Sequence, residues 1–217
     1  MKLNIDVPNN LSEITLRDYK KFLKIQETVT DEKFLNAKII EIFCKIELKD
    51  VMLLKFSDSE NIVKIISKMF EQKPKLVTKF KLNNKEYGFH PQLDDLTLGE
   101  YIDIDTYIGD WENIEKAMNV LYRPIIAKLK GKYTIDEYKV EAVNDMLDMP
   151  MDAVLSSVFF LWNLGMELSQ TMMNYLEAEE NNPALTEFLN SQESGDGINQ
   201  FMDSLTEILQ DLKISLN

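Results

Sequence analysis

The sequence predicts a mainly α fold, a helical domain carrying one small β-hairpin at about residues 76–90. Three observations predict it. Apolar residues recur at intervals of three and four through most of the chain, the period of a half-buried helix. Eleven Met and eleven Phe stand against seven Gly and six Pro, which favours helices with adaptable apolar faces over a turn-rich sandwich. Only one stretch changes to a period of two, and it flanks Asn83-Asn84, a pair that tolerates the positive φ of a tight turn.

The first helix opens at Thr15, three residues ahead of Asp18 as in a capping box, and carries Leu16, Tyr19, Phe22 and Leu23 on one face. A second begins after Thr30, with Asp31 and Glu32 where the helix dipole favours carboxylates, and turns Phe34, Leu35, Ile39, Ile42 and Phe43 inward. Ser57 with Glu60 makes another capping box, opening a helix whose apolar face is Ile62, Ile65, Ile66, Met69 and Phe70; Pro74 closes it. In the hairpin, Lys79 and Lys81 alternate with Thr78, Phe80 and Leu82, as on a half-exposed strand. So short a hairpin must pack on helices or on another chain.

Thr97 with Glu100 opens the next helix, and Leu96-Thr97-Leu98-Gly99-Glu100-Tyr101 echoes Ile14-Thr15-Leu16-Arg17-Asp18-Tyr19. The echo reads as two helices started by the same chemistry. Trp111 to Tyr122 forms a further helix, stopped before Arg123-Pro124 because the residue ahead of proline avoids the α region. Tyr138 to Met149 reads as helical up to Pro150. Residues 151 to about 180 form the longest helix, with Val154, Val158, Leu161, Trp162, Met166 and Leu168 among its apolar positions; its middle is apolar nearly all round, which implies contact on more than one side. Asn182-Pro183 opens a short helix to Leu189. Ser191 to Gly197 is polar and serves as a hinge. Ile198 to Ile214 is an amphipathic helix with Phe201, Leu205, Ile208, Leu209 and Leu212 in register.

A chain of 217 residues is long enough for a sizeable core and is read as a single unit, 1–217. Its subregions are helices plus hairpin (1–90), a helical core (91–190), and the hinge with its C-terminal helix (191–217). Cys44 is the one cysteine, so no disulfide forms within a chain, and it reads as a small buried hydrophobe. The start of the chain, Met1 to Pro8, lacks the apolar core of a signal peptide. Ala153 to Met166, the most apolar run, falls short of the roughly 20 residues a membrane span needs, so no membrane role is expected.

Charge is dealt in blocks. Residues 1–85 hold 17 bases against 12 acids; residues 86–115 hold nine acids and no base; residues 116–139 hold six bases against two acids; residues 140–212 hold fourteen acids and no base. In a chain of net charge −13 such segregation points to surfaces selected for which partners they meet. Specific nucleic-acid binding is not expected, because the acidic half would repel a duplex.

Catalytic constellations are missing from the sequence. His90, the one histidine, precedes Pro91 at the end of the hairpin with nothing resembling a triad beside it. Asp103-Ile104-Asp105 and Asp110 imitate the start of a calcium loop, but Gly109 falls one position late and Ile114 stands where the loop needs Glu. On a helix Asp103 and Asp105 also lie about 200° apart. No glycine-rich phosphate loop, nucleophile elbow or zinc spacing occurs. The expectation is therefore no enzyme, no cofactor and no metal.

Two stretches carry a family resemblance. Leu96-Thr97-Leu98-Gly99-Glu100-Tyr101-Ile102-Asp103 leads into Trp111-Glu112-Asn113 and Lys116-Ala117-Met118-Asn119-Val120-Leu121-Tyr122-Arg123-Pro124, and Met149-Pro150-Met151 leads into Phe159-Phe160. Over about residues 96–165 the chain resembles small proteins from the structural gene blocks of tailed bacteriophages, including crAss-like phages, and more loosely tail or baseplate assembly chaperones. The resemblance implies a virion component or an assembly factor, without chemistry.

Together these readings give a non-enzymatic interaction component of a tailed-phage virion, a neck, ring or tail-region subunit found in the virion or in the host cytoplasm during assembly. Its partners are other phage structural proteins and copies of itself, with Phe201, Leu205, Ile208, Leu209, Leu212, Trp111 and Trp162 as candidate contact residues. The alternatives are a soluble assembly chaperone, for which Met166, Met172 and Met173 would supply an adaptable surface, and a divalent-metal enzyme built on the carboxylates of residues 94–112.

Overall fold

The computed structural model describes residues 4–139, 146–178 and 196–211. Among them are eight α-helices: α1 (Leu16–Gln26), α2 (Glu32–Phe43), α3 (Leu48–Val51), α4 (Phe56–Phe70), α5 (Leu98–Tyr107), α6 (Ile114–Leu121), α7 (Met151–Ala178) and α8 (Asp196–Asp211). Four strands, β1 (Lys79–Leu82), β2 (Lys85–Phe89), β3 (Tyr122–Leu129) and β4 (Lys132–Ile135), make one antiparallel sheet in the order β1-β2-β3-β4.

The fold is thus mixed, and the expectation of a mainly α protein with one small hairpin is corrected. The first hairpin forms around Asn83 and Asn84, at φ 49° and 60°. A second follows immediately after α6. Lys130 and Gly131 turn it with φ 48° and 81°, the two positive values of a tight hairpin turn, and β3 also pairs with β2 through Tyr87–Pro124, Gly88–Arg123 and Phe89–Tyr122. Pro124, which reads as a stop signal, lies within a strand; it removes one donor, while its carbonyl accepts from the Asp136 N–H at 2.8 Å. A register shift between Ile125 and Ala127 interrupts the alternation that would mark a strand in sequence.

Local capping explains three helix starts. The Thr15 hydroxyl accepts from the Asp18 N–H, Asp31 accepts from the Phe34 N–H, and Thr97 with Glu100 closes a complete capping box. Other starts differ from expectation. α4 begins at Phe56 behind Lys55 with no side-chain cap, so the Ser57–Glu60 box does not form. α6 begins at Ile114, not Trp111. Tyr138 and Lys139 are not helical and Met146–Asp148 make one 3-10 turn, while residues 140–145 lie outside the described residues. Phe34 and Ile65, expected inside, are exposed, since Ala37 and Ile40 on α2 and Val63 on α4 face the core. α8 already includes Asp196 and Gly197, and the expected Asn182–Leu189 helix, the rest of the hinge and Leu212 lie outside the described residues.

One continuous core runs from Leu11 to Ile208 and has two aromatic centres. Tyr19, Phe22, Phe43, Phe70 and Trp111 join α1, α2, α4 and the α5–α6 loop, with Tyr19 4.8 Å from Trp111 and 5.3 Å from Phe70 between ring centroids. Phe80, Tyr87, Phe89, Tyr122 and Phe160 join the inner face of the sheet to α7. α7 starts beside α1, held by Leu16 N–H to the Met149 carbonyl, Met151 N–H to the Ile14 carbonyl, and a bidentate Arg17–Asp148 pair. α8 then lies along α7 and seals the core with Leu205 and Ile208. Two glycines permit that approach: a Cβ on Gly109 would stand 2.5 Å from Ser204 Cβ, and one on Gly165 2.2 Å from Met202 Sδ.

A third glycine sets the outer face of the sheet. A Cβ on Gly88 would stand 2.4 Å from the ring of Tyr133, whose hydroxyl donates to the Phe89 carbonyl at 2.6 Å. Gly88→Ala must therefore push Tyr133 off the sheet. It is expected to cost about 1–3 kcal/mol, the usual range for overpacking, read as a lowered urea midpoint with an unchanged m-value; an unchanged midpoint would contradict this packing.

Candidate functional surface

Strand alternation divides the side chains of β1–β4 between two faces. Phe80, Tyr87, Phe89 and Tyr122 point toward α7. Lys79, Lys81, Glu86, Lys128 and Tyr133 share the opposite face, where Lys79 Nζ lies 4.7 Å from the Tyr133 ring centroid and Lys128 pairs with Glu86. Residues 79–89 and 122–135 carry seven bases and one acid, a net of +6 in a chain of net −13. Six of the seven bases, Lys79, Lys81, Lys85, Lys128, Lys130 and Lys132, are exposed. The lysines of the first and third sequence blocks, about 45 residues apart in the chain, thus meet on one sheet.

The opposite pole is helical. α7 and α8 together hold seven acids and no base. Among the described residues, α7 meets the sheet through its first turns, the Ala153 carbonyl near the Tyr122 hydroxyl and Phe160 against Phe89, and Ser156 accepts from the Val77 N–H just ahead of β1. At about 1.5 Å per residue its last residue lies roughly 27 Å beyond Phe160. The first acidic block, residues 86–115, contains α5.

Where the blocks touch, they pair. Arg123 of β3 meets Glu100 of α5 at 2.8 Å, with side chains only 9% and 6% exposed. Burial pushes the Glu100 carboxyl up, but the Thr97 N–H and hydroxyl and the Arg123 guanidinium hold it below its ordinary value. His90 lies in the same pocket; burial, then the Arg123 charge, lowers its pKa, so it is neutral and its Nδ1 accepts from the Gln92 N–H at 3.3 Å. Lys20 is held between Glu115 and the Glu112 carbonyl, and Arg17 reaches Asp148 in the fourth block. Part of the sequence segregation is therefore satisfied inside the chain.

Compared with protein-family models, curated proteins and solved structures, the chain matches none. Its function must be read from this geometry.

The candidate contact residues are not gathered on one open surface. Leu205 and Ile208 are buried against the chain's own core, and Phe201 and Leu209 pack partly against it. Trp111 is buried in the first aromatic centre, with Nε1 lacking a hydrogen-bond partner among the described residues, and Trp162 is half-buried on α7. The carboxylates of residues 94–112 are dispersed: Asp103 accepts from the Tyr138 hydroxyl, Asp110 from the Glu112 N–H and the Asn113 amide, and Glu100 is taken by Arg123. Among the described residues no group of three or more His, Cys, Asp or Glu is placed to hold a metal ion, and no helix is long and apolar enough to cross a membrane. Burial pushes the Cys44 thiol up to about 11, which leaves it protonated at neutral pH.

An open cleft of about 490 Å³ separates α1 from the α5–α6 loop, lined by Lys20, Lys24, Glu27, Asp110, Trp111 and Glu112. Its charges neutralise one another, Lys20 with Glu115 and Lys24 with Glu112 at 4.0 Å.

The sequence places Arg123 before a proline and gives no sign that it is buried; only the pairing of β2 with β3 carries it to Glu100. Arg123→Met leaves that carboxylate buried alone and is expected to cost about 3–5 kcal/mol, whereas Arg123→Met with Glu100→Gln recovers most of the loss. A double-mutant cycle by urea unfolding checks both, and a single-mutant cost below about 1 kcal/mol would contradict a structural role for the pair.

Proposed function

We propose that this protein is a non-enzymatic interaction subunit of a tailed-phage particle, held to copies of itself or to neighbouring structural proteins through surfaces of opposite charge. The observation that carries the reading is the basic sheet, net +6, on a body whose longest helices are wholly acidic. Electrical poles of this kind steer encounter and fix orientation more than they add affinity, which suits subunits that must meet in one register. The resemblance of residues 96–165 to phage structural proteins supplies the setting.

A protein partner fits better than nucleic acid. Phosphate binding would engage the sheet lysines, but Glu86 sits among them and the acidic helices would repel a continuous duplex. The acidic body is also compatible with a wall past which DNA slides without being held.

Mass spectrometry of purified particles of the phage that encodes the chain is expected to find the protein in amounts comparable to known structural subunits. Its absence from finished particles, with abundance in infected cells, would overturn the virion reading and favour the assembly chaperone.

A further inference from the structure

α1 and α5 open with similar strings and cover their faces differently. In α1, Leu16 and Tyr19 are fully buried. Their counterparts on α5, Leu98 and Tyr101, are 75% and 54% exposed, and Ile102 beside them is 50% exposed. Leu98, Tyr101, Ile102 and Asp105 stand at i, i+3, i+4 and i+7, one continuous stripe of the helix. Three large apolar side chains in a row, with Asp105 continuing the stripe and Asp94 and Asp95 in the 3-10 turn ahead of the helix, form the kind of patch that marks a protein contact.

A matching surface stands on the β3–β4 hairpin. Leu129 is 74% exposed; Lys132 lies directly opposite it in the ladder, so the two share one face of the hairpin, and Lys130 begins the turn. Seven residues separate the tip at Lys130 from Arg123, roughly 23 Å of strand at about 3.3 Å per residue. The hairpin therefore projects beyond the point where β3 is pinned to α5. Lys130, Lys132, Asp94, Asp95 and Asp105 make no ion pair among the described residues.

We infer that the β3–β4 hairpin of one copy docks on the α5 stripe of a second copy, Leu129 seating among Leu98, Tyr101 and Ile102 while Lys130 and Lys132 meet the aspartates of the α5 segment. The inference rests on the interaction-subunit reading and names its contact. Apolar burial supplies the affinity and the charges fix the direction. Because the two surfaces differ, each contact is directional: repeated in one sense it builds a ring or an open string, and made reciprocally about a two-fold axis it closes a pair.

The test uses the full chain with two single variants, Leu129→Asp on the hairpin and Ile102→Asp on α5, both at positions whose exposure leaves folding intact by circular dichroism. Size-exclusion chromatography with light scattering is expected to show concentration-dependent association of the wild type, weakened at least about tenfold in either variant, as loss of one buried large side chain implies. Mixed one to one, the variants are expected to form a heterodimer and stop there. Each supplies the surface the other lacks, and the two altered surfaces repel. Variants that associate like the wild type would overturn the inference and leave the subunit reading standing with its contact elsewhere. A mixture that stays monomeric would exclude a head-to-tail contact between these surfaces. A wild type that is monomeric throughout would remove the second copy as occupant, while particle mass spectrometry judges the subunit reading separately.

Discussion

Two consecutive residues at the start of β3 hold the layers of this protein together. Strand alternation sends Tyr122 and Arg123 to opposite faces of the sheet. Tyr122 goes inward: its ring packs edge-on against Phe80 and Phe89, and its hydroxyl donates to the Val77 carbonyl at 2.8 Å with the Ala153 carbonyl 3.2 Å away. Arg123 goes the other way, into the buried pair with Glu100. One face is thereby fixed to α7 and the other to α5. A shift of one residue would exchange the two side chains, placing a guanidinium among aromatic rings and leaving Glu100 unpaired, so the register of β3 is strongly specified.

That pinning explains how blocks of like charge along the chain become poles in space. β1–β2 comes from the end of the first basic block and β3–β4 from the second, and their pairing through Gly88–Arg123 concentrates lysines from both on one sheet. Apart from Glu86 on β2, the acids of residues 86–115 lie between these strands in sequence, and among them Glu100 ties α5 to Arg123. Of the acids of residues 140–212, seven lie on α7 and α8, which carry no base. Buried ion pairs contribute little net stability against an apolar alternative but penalise wrong pairings. Arg123–Glu100 is placed to act in that way.

Much of the helical architecture was legible in the sequence. Thr15, Asp31 and Thr97 announce α1, α2 and α5 because a capping side chain acts on backbone groups two or three residues away. Asn83-Asn84 announces the first hairpin for the same local reason. The second hairpin was hidden because its signals conflict: Pro124 reads as a break, the irregularity at Ile125–Ala127 spoils the period of two, and the exposed strand ends carry too few apolar residues to show a buried face. α4 shows the reverse failure, a capping pair in the sequence that packing overrides, so the helix starts behind Lys55. Lys130-Gly131 was the one local clue to the missing strands.

Of the surface features, the charge blocks were visible from the start, but their meeting on the sheet was not, because it depends on pairing between strands about 35 residues apart. Periodicity identified the apolar face of α8 without saying that Leu205 and Ile208 would face the chain's own core, a choice made by the room Gly109 and Gly165 leave. The α5 stripe is hidden in the sequence because a string similar to that of α1 suggests the same burial. On the proposed reading, opposite electrical poles made by the fold govern how this protein associates. Sedimentation velocity of the intact protein over a range of concentrations at low and high ionic strength tests it most directly. The account predicts reversible association that weakens as salt screens the poles; a sedimentation coefficient independent of both concentration and salt would contradict it.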